Sequence, residues 1–192
     1  MIAADAARQI KGAFRLGQRD PAGLADLDVS IDGFWRSFGA AVLVLPAYAV
    51  LVLTEPAPTG VVIRPPVDPL VQVLVDGIAY VVYWTIMPVL MIHITRLLQR
   101  EKAYTAYVVA DNWAQVPQTY LMALVSLIGE SALLPQSVQA LLAFAAMIWV
   151  LLFKFSVARL TLGIGRLPAA GVVLVDLIAG LFIDGITERL GG

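Results

Sequence analysis

The sequence predicts an all-α polytopic membrane helix bundle with about five transmembrane helices, plus an N-terminal amphipathic interfacial helix. Three observations predict it. Apolar residues make up 60% of the 192, charged residues only 14%, and the mean hydropathy is +0.84. A soluble domain carries about 25% charge, and a chain this short has too much surface to keep such an excess dry. Five stretches are long and apolar enough to cross ~30 Å of hydrocarbon at about 1.5 Å per residue. The basic residues then alternate from one side of those stretches to the other.

The first 33 residues form a cytoplasmic or interfacial segment. Asp5, Arg8, Lys11, Arg15, Arg19 and Asp20 interrupt it, so it does not read as a cleavable signal peptide. At helical spacing Arg8, Lys11, Arg15 and Arg19 share an arc of about 80°. Ile2, Ala3, Ala6, Ile10, Ala13 and Phe14 fall on the opposing side. That pattern suits a helix lying in the membrane interface with its basic face toward lipid headgroups. A cytoplasmic helix packed on the bundle is the competing reading. Trp35 and Arg36 follow where an interfacial anchor belongs.

The transmembrane domain occupies 34–192, with spans at about 34–53, 70–94, 104–128, 137–157 and 168–186. The third is the weakest by hydropathy, because Asp111, Asn112, Gln115 and Gln118 interrupt its first half. Between the first two lies a proline-rich connection, 54–69, with Pro56, Pro58, Pro65, Pro66 and Pro69. Proline at that density favours an extended strap.

Basic residues orient the bundle. Arg8, Lys11, Arg15, Arg19, Arg36, Arg96, Arg100, Lys102, Lys154, Arg159 and Arg166 fall on one side, and Arg64 and Arg189 on the other. Eleven against two places the N-terminus in the cytoplasm and the C-terminus outside, in the periplasm of a bacterial inner membrane.

Chemistry is constrained by what is missing. No cysteine is present, and His93 is the single histidine, so thiol catalysis, thiolate metal sites and paired-histidine sites are excluded. The sequence has no Walker loop and no GxSxG elbow. No cofactor, nucleic-acid partner or enzymatic activity is expected.

A charge in hydrocarbon costs about 2.5–3.5 kcal/mol on insertion scales and so turns toward a partner or a wet cavity. The candidate functional residues are therefore Asp76, Asp111, Asn112, Gln115, Gln118, Lys154, Asp176 and Asp184. On the third span Tyr104, Tyr107, Asp111, Asn112, Gln115, Gln118, Thr119 and Ser126 share one half of the wheel. Val109, Ala110, Trp113, Val116, Tyr120, Leu124 and Leu127 form the other, expected to face lipid. On the fifth, Ala169, Asp176, Gly180, Asp184 and Thr187 make a stripe of small and acidic residues that permits close helix approach. Asp111, Lys154 and Asp176 share a depth, so Lys154 is expected to pair with Asp111 or Asp176. Snorkelling of Lys154 to the interface is the alternative. On the second, Asp76, Tyr80 and Tyr83 recur at helical spacing, as in an interhelical bonding face. Structural interhelical bonding competes here with an ion or proton path carried by the carboxylates.

Two stretches resemble the membrane domain of Yip1-like proteins. One is the basic turn Arg100-Glu101-Lys102-Ala103-Tyr104-Thr105-Ala106-Tyr107, running on to Pro117. The other is Trp149 and Arg159, then Leu162-Gly163-Ile164-Gly165-Arg166 and Ala169-Ala170. The resemblance covers about 34–190 and implies several closely spaced transmembrane helices after a cytoplasmic N-terminus. The chain lacks the acidic, aromatic cytoplasmic stretch of eukaryotic members, so the resemblance carries the fold and not their vesicle traffic. A structural, assembly or partner-binding component of the membrane is the expected role, with a lipid bilayer and a membrane-protein partner or a second copy as its surroundings. The alternative is a small ion or proton channel or transporter.

An odd number of spans has a direct consequence. A periplasm-active reporter fused after Gly192 is expected to be active, and an inactive fusion in a stably expressed protein would contradict the topology.

Overall fold

The computed structural model describes residues 2–54, 68–131 and 134–190. Every element among them is helical. Helix α1 spans Ile2–Gly17 and is followed by a 3-10 turn, Pro21–Asp26. Then come α2 (Ile31–Ser37), α3 (Ala40–Leu53), α4 (Pro69–Leu97), α5 (Tyr104–Glu130), α6 (Gln136–Leu162) and α7 (Arg166–Leu190). Pro56, Pro58, Pro65 and Pro66 of the expected strap lie outside the described residues.

Local chemistry sets the ends of these helices. The Ser30 hydroxyl accepts from the Gly33 amide at 3.0 Å to open α2, and the Asp68 carboxylate accepts from the Leu70 amide at 2.8 Å to open α4. Helix α6 stops at Gly163, whose φ of 60° places it in the left-handed region that favours glycine. The first expected span lies in one apolar stretch, Ile31–Leu53, in which the helix tightens to i→i+3 bonds around Phe38 and Gly39, both in the right-handed helical region. The Ser37 hydroxyl there donates to the Phe34 carbonyl at 2.7 Å.

Among the described residues, four stretches are long and apolar enough to cross a membrane: Ile31–Leu53, Leu70–Leu97, Gln136–Leu162 and Arg166–Leu190. Their outward surfaces carry Val42, Val73, Val81, Leu141, Phe144, Leu181 and Phe182, all exposed. An apolar belt of this extent is tolerated only against lipid, and the chain is a membrane protein. Helix α5 is as long as its neighbours, at 27 residues, but is packed among them. It touches α1, α2, α3, α4 and α6. Tyr107 to Ala114 form one unbroken buried run, which explains its low hydropathy: its polar groups are turned toward protein.

Helix α1 seats on α5 and α6 at the basic end of the bundle. Its buried residues are Gln9, Gly12, Ala13 and Leu16, a face rotated from the one the wheel selects. Phe14 sits at the margin, 37% exposed, with its ring 6.5 Å from Trp149 and 6.1 Å from Phe153. Small residues allow the approach. A Cβ on Gly17 would collide with the Phe153 ring, and one on Gly23 with the Gly12 carbonyl of α1. Consequently Val109, Ala110 and Trp113 meet α1 and not lipid, which corrects the expected lipid face over the first half of α5.

Ion pairs fasten this N-terminal cap. Arg15 donates to Asp20 at 2.8 Å and to Asp26 at 2.9 Å. Arg36 pairs with Asp28 and reaches Asp5 at 3.7 Å, while Arg8 holds Asp5 at 2.7 Å. The bonds from Asp20 and Asp26 raise the Arg15 guanidinium above its usual value. The Ala22 amide and Arg15 hold the Asp20 carboxyl below the usual carboxylate value, and Ser30 does the same for Asp28. Carboxyls depressed in the folded state contribute stability that is fully present above the unfolded value of 3.8 and is lost as pH falls through their lower folded values. Amide-exchange protection in α1 is therefore expected to hold from neutral pH to about 4.5 and to fall below 3.8. Protection that survives at the lowest pH would show that the cap is held by packing alone.

Candidate functional site: a charged cluster between four helices

Three intramembrane charges meet near the basic end of the bundle. Asp111 is seven residues into α5, Lys154 eight residues from the end of α6 and Asp176 ten residues into α7. At about 1.5 Å per residue these positions lie about 10–15 Å from the helix ends, at one level. The Lys154 ammonium donates to the Asp176 carboxylate at 2.9 Å, with 15% and 22% of the two side chains exposed. Lys154 thus pairs across to α7 and does not snorkel. Asp111, 6% exposed, lies within electrostatic reach of both but in ion-pair contact with neither. No hydrogen bond to its carboxylate is found among the described residues.

Tyrosines surround the charges. Tyr107, one turn before Asp111 on α5, faces both Asp111 and Asp176. Tyr83 of α4 faces Asp176 and donates its hydroxyl to Asp184 of α7 at 2.9 Å. A Cβ built on Gly180 would stand 3.2 Å from that hydroxyl, so glycine leaves Tyr83 its path along α7. The stripe of small and acidic residues on the fifth span is occupied by α4 and α6 of the same chain.

The remaining candidates sit along α5 and α4. Asn112 donates its amide to the Ser37 hydroxyl at 2.8 Å and ties α5 to α2. Gln115 is half-buried. Gln118 is 3% exposed, and neither its amide nitrogen nor its carbonyl oxygen has a partner. The Trp113 indole nitrogen is likewise buried without one. Asp76 stands apart toward the opposite end of α4, accepting from Gln72 one turn away at 3.0 Å. Of the basic residues on α1, Arg8 and Arg15 are engaged by acids of the cap, and Lys11 and Arg19 are exposed.

Several bonds across the bundle involve residues that sequence reasoning did not pair. Tyr80 donates to the Ala41 carbonyl at 2.5 Å, Tyr120 to the Leu43 carbonyl at 3.1 Å, and Tyr104 to the Pro88 carbonyl at 3.2 Å. The Thr54 and Ser126 hydroxyls meet at 2.6 Å. The recurrence of Tyr80 and Tyr83 at helical spacing was the visible signal for the Tyr80 tie and for that of Tyr83 to Asp184; backbone carbonyls as acceptors leave no mark in a sequence.

Below the cluster, toward the basic end, Met87, Met91, Val108, Ala158, Leu162 and Val172 pack into an apolar layer. Beyond Gln118, toward the opposite end, Leu51, Met122, Ser126, Gly129, Gln136 and Gln139 help line a groove of about 390 Å³ between α3, α5 and α6. No group of three or more histidines, cysteines and carboxylates suited to a metal ion occurs among the described residues. Comparison with protein-family models, with curated proteins and with solved structures found no match.

Proposed function

We propose that this chain is a non-enzymatic structural or assembly component of a bacterial inner membrane, crossing it five times with its N-terminus in the cytoplasm and its C-terminus in the periplasm. One observation carries the reading. Intramembrane polar side chains serve as ties between helices: Lys154 to Asp176, Tyr83 to Asp184, Asn112 to Ser37, Thr54 to Ser126 and Tyr80 to a backbone carbonyl. Such ties are each worth about 0.6 kcal/mol on average in a bilayer, and together they hold a rigid scaffold.

The fifth crossing is α5, whose 27 residues extend about 40 Å. Its polar groups are shielded by its neighbours, so it needs no apolar surface of its own. Orientation follows from the basic residues. The likeness to the membrane domain of Yip1-like proteins supports a bundle of this kind. The exposed apolar belt is the surface left for the bilayer and for a membrane-embedded partner or second copy, since Asn112 on α5 and Asp176 on α7 already have partners inside the chain. On the cytoplasmic side the exposed Lys11 and Arg19 of α1 lie where anionic headgroups would meet them.

A second reading, an ion or proton path, is favoured by Asp111, which is buried and accepts no hydrogen bond among the described residues.

Purification of the full chain in a mild detergent tests the assembly role. A stoichiometric membrane companion or a defined homo-oligomer is expected. A lone, monodisperse monomer recovered from native membranes would overturn it.

A further inference from the structure

The charges around Lys154 do not balance. One ammonium serves two carboxylates: Asp176 at 2.9 Å, and Asp111, buried at the same depth and within electrostatic reach without direct contact. The other titratable groups facing the cluster are the hydroxyls of Tyr107 on α5 and Tyr83 on α4, with Asp184 of α7 beyond Tyr83. None of them adds positive charge. A full unit of negative charge is left over, and an uncompensated ion in such surroundings costs several kcal/mol.

Gln118 is an independent sign of an occupant. It lies two helical turns on from Asp111, on the same face of α5, with Gln115 between them. Its amide is buried with neither donor nor acceptor satisfied. Buried polar groups without protein partners are normally satisfied by internal water. One and two turns further along that face, Met122 and Ser126 already line the groove at the opposite end of the bundle. Polar positions therefore run from the groove to the cluster along a single face. On the basic side the layer of Met91, Val108, Leu162 and Val172 closes the route.

We propose that Asp111 is a proton-binding carboxylate, loaded from the outer aqueous phase through water held along Gln115 and Gln118. A hydronium ion gives its proton to a carboxylate oxygen, one O–H bond forms, and water is left behind. The cluster then holds one ammonium, one carboxylate and one neutral acid, with no net charge. A metal cation is disfavoured, because it needs several oxygen ligands and Lys154 already holds an oxygen of Asp176. The proposal deepens the second reading above, but it concerns occupancy of a site and not flux through the protein.

The test is infrared spectroscopy of the full chain in oriented proteoliposomes. A protonated-carboxyl band is expected at neutral pH. It should vanish in Asp111→Asn and stay in Asp76→Asn, and in Asp111→Glu it should shift in frequency, which covers failure of the asparagine variant to fold. Deuterium added on the side of the C-terminus should shift the band promptly, and Gln118→Leu should slow that shift several-fold. Deuterium added on the N-terminal side of sealed vesicles should leave the band unchanged over the same interval. Absence of the band in the wild type, its persistence in Asp111→Asn, or equal exchange from both sides would overturn the proposal. Proton flux, measured separately with a pH dye, decides the transport reading: a band without flux sinks transport and leaves the site standing.

Discussion

A polar helix placed in the middle of an apolar bundle must find its partners on the helices around it, and the arrangement of this protein follows from that constraint. Helix α5 brings Asp111, Asn112, Gln115 and Gln118 into a region where water is scarce. Lys154 of α6 supplies the only ammonium at that depth among the described residues, and Asp176 of α7 binds it at 2.9 Å. The pair joins α6 to α7, Tyr83 joins α7 to α4, and Asn112 joins α5 to α2. Breaking one partner of a buried ion pair costs about 3–5 kcal/mol, whereas an exposed pair contributes about 0–1 kcal/mol. The cluster is thus the strongest single determinant of how the helices sit around α5.

The cap formed by α1 solves the other half of the same problem. The first turns of α5 and the last turns of α6 present Val109, Trp113, Phe153 and Val157, which are apolar but lie close to the basic end. Ala13 and Leu16 cover them; Gly17 lets α1 come up against the Phe153 ring, and Gly12 and Gly23 let the 3-10 turn pack on α1. Arg15 and Arg36 then fasten the cap to acids within its own segment. Covered by α1 at one end and flanked by α3 and α6, a long polar helix gains a protein environment over most of its inner half.

Much of this was legible in the residues, for reasons that differ element by element. Four apolar spans show directly in hydropathy, and the Lys154–Asp176 contact follows from counting residues inward from helix ends, because depth is linear in residue number. The seat of α1 was not legible. Its wheel ranks Ile2, Ala3, Ala6, Ile10, Ala13 and Phe14 as the apolar face; Ala13 is buried and Ala6 and Ile10 pack beside the core, but the buried face turns on to Gln9, Gly12 and Leu16. Hydrophobicity alone cannot foresee that Gln9 is buried because its carbonyl accepts from the Asp28 amide at 3.0 Å, or that small residues win a position by allowing close contact. The apolar half of the α5 wheel was read as lipid-facing since a wheel cannot distinguish a lipid from a neighbouring helix.

The most direct measurement of the central claim is the unfolding free energy of Lys154→Met alone and in combination with Asp176→Asn, in a mild detergent. The account predicts that Lys154→Met costs about 3–5 kcal/mol, because the Asp176 carboxylate loses its compensating charge, and that adding Asp176→Asn recovers most of that loss. A single variant that costs less than about 1 kcal/mol, as an exposed pair would, or a double variant no better than the single one, would contradict it.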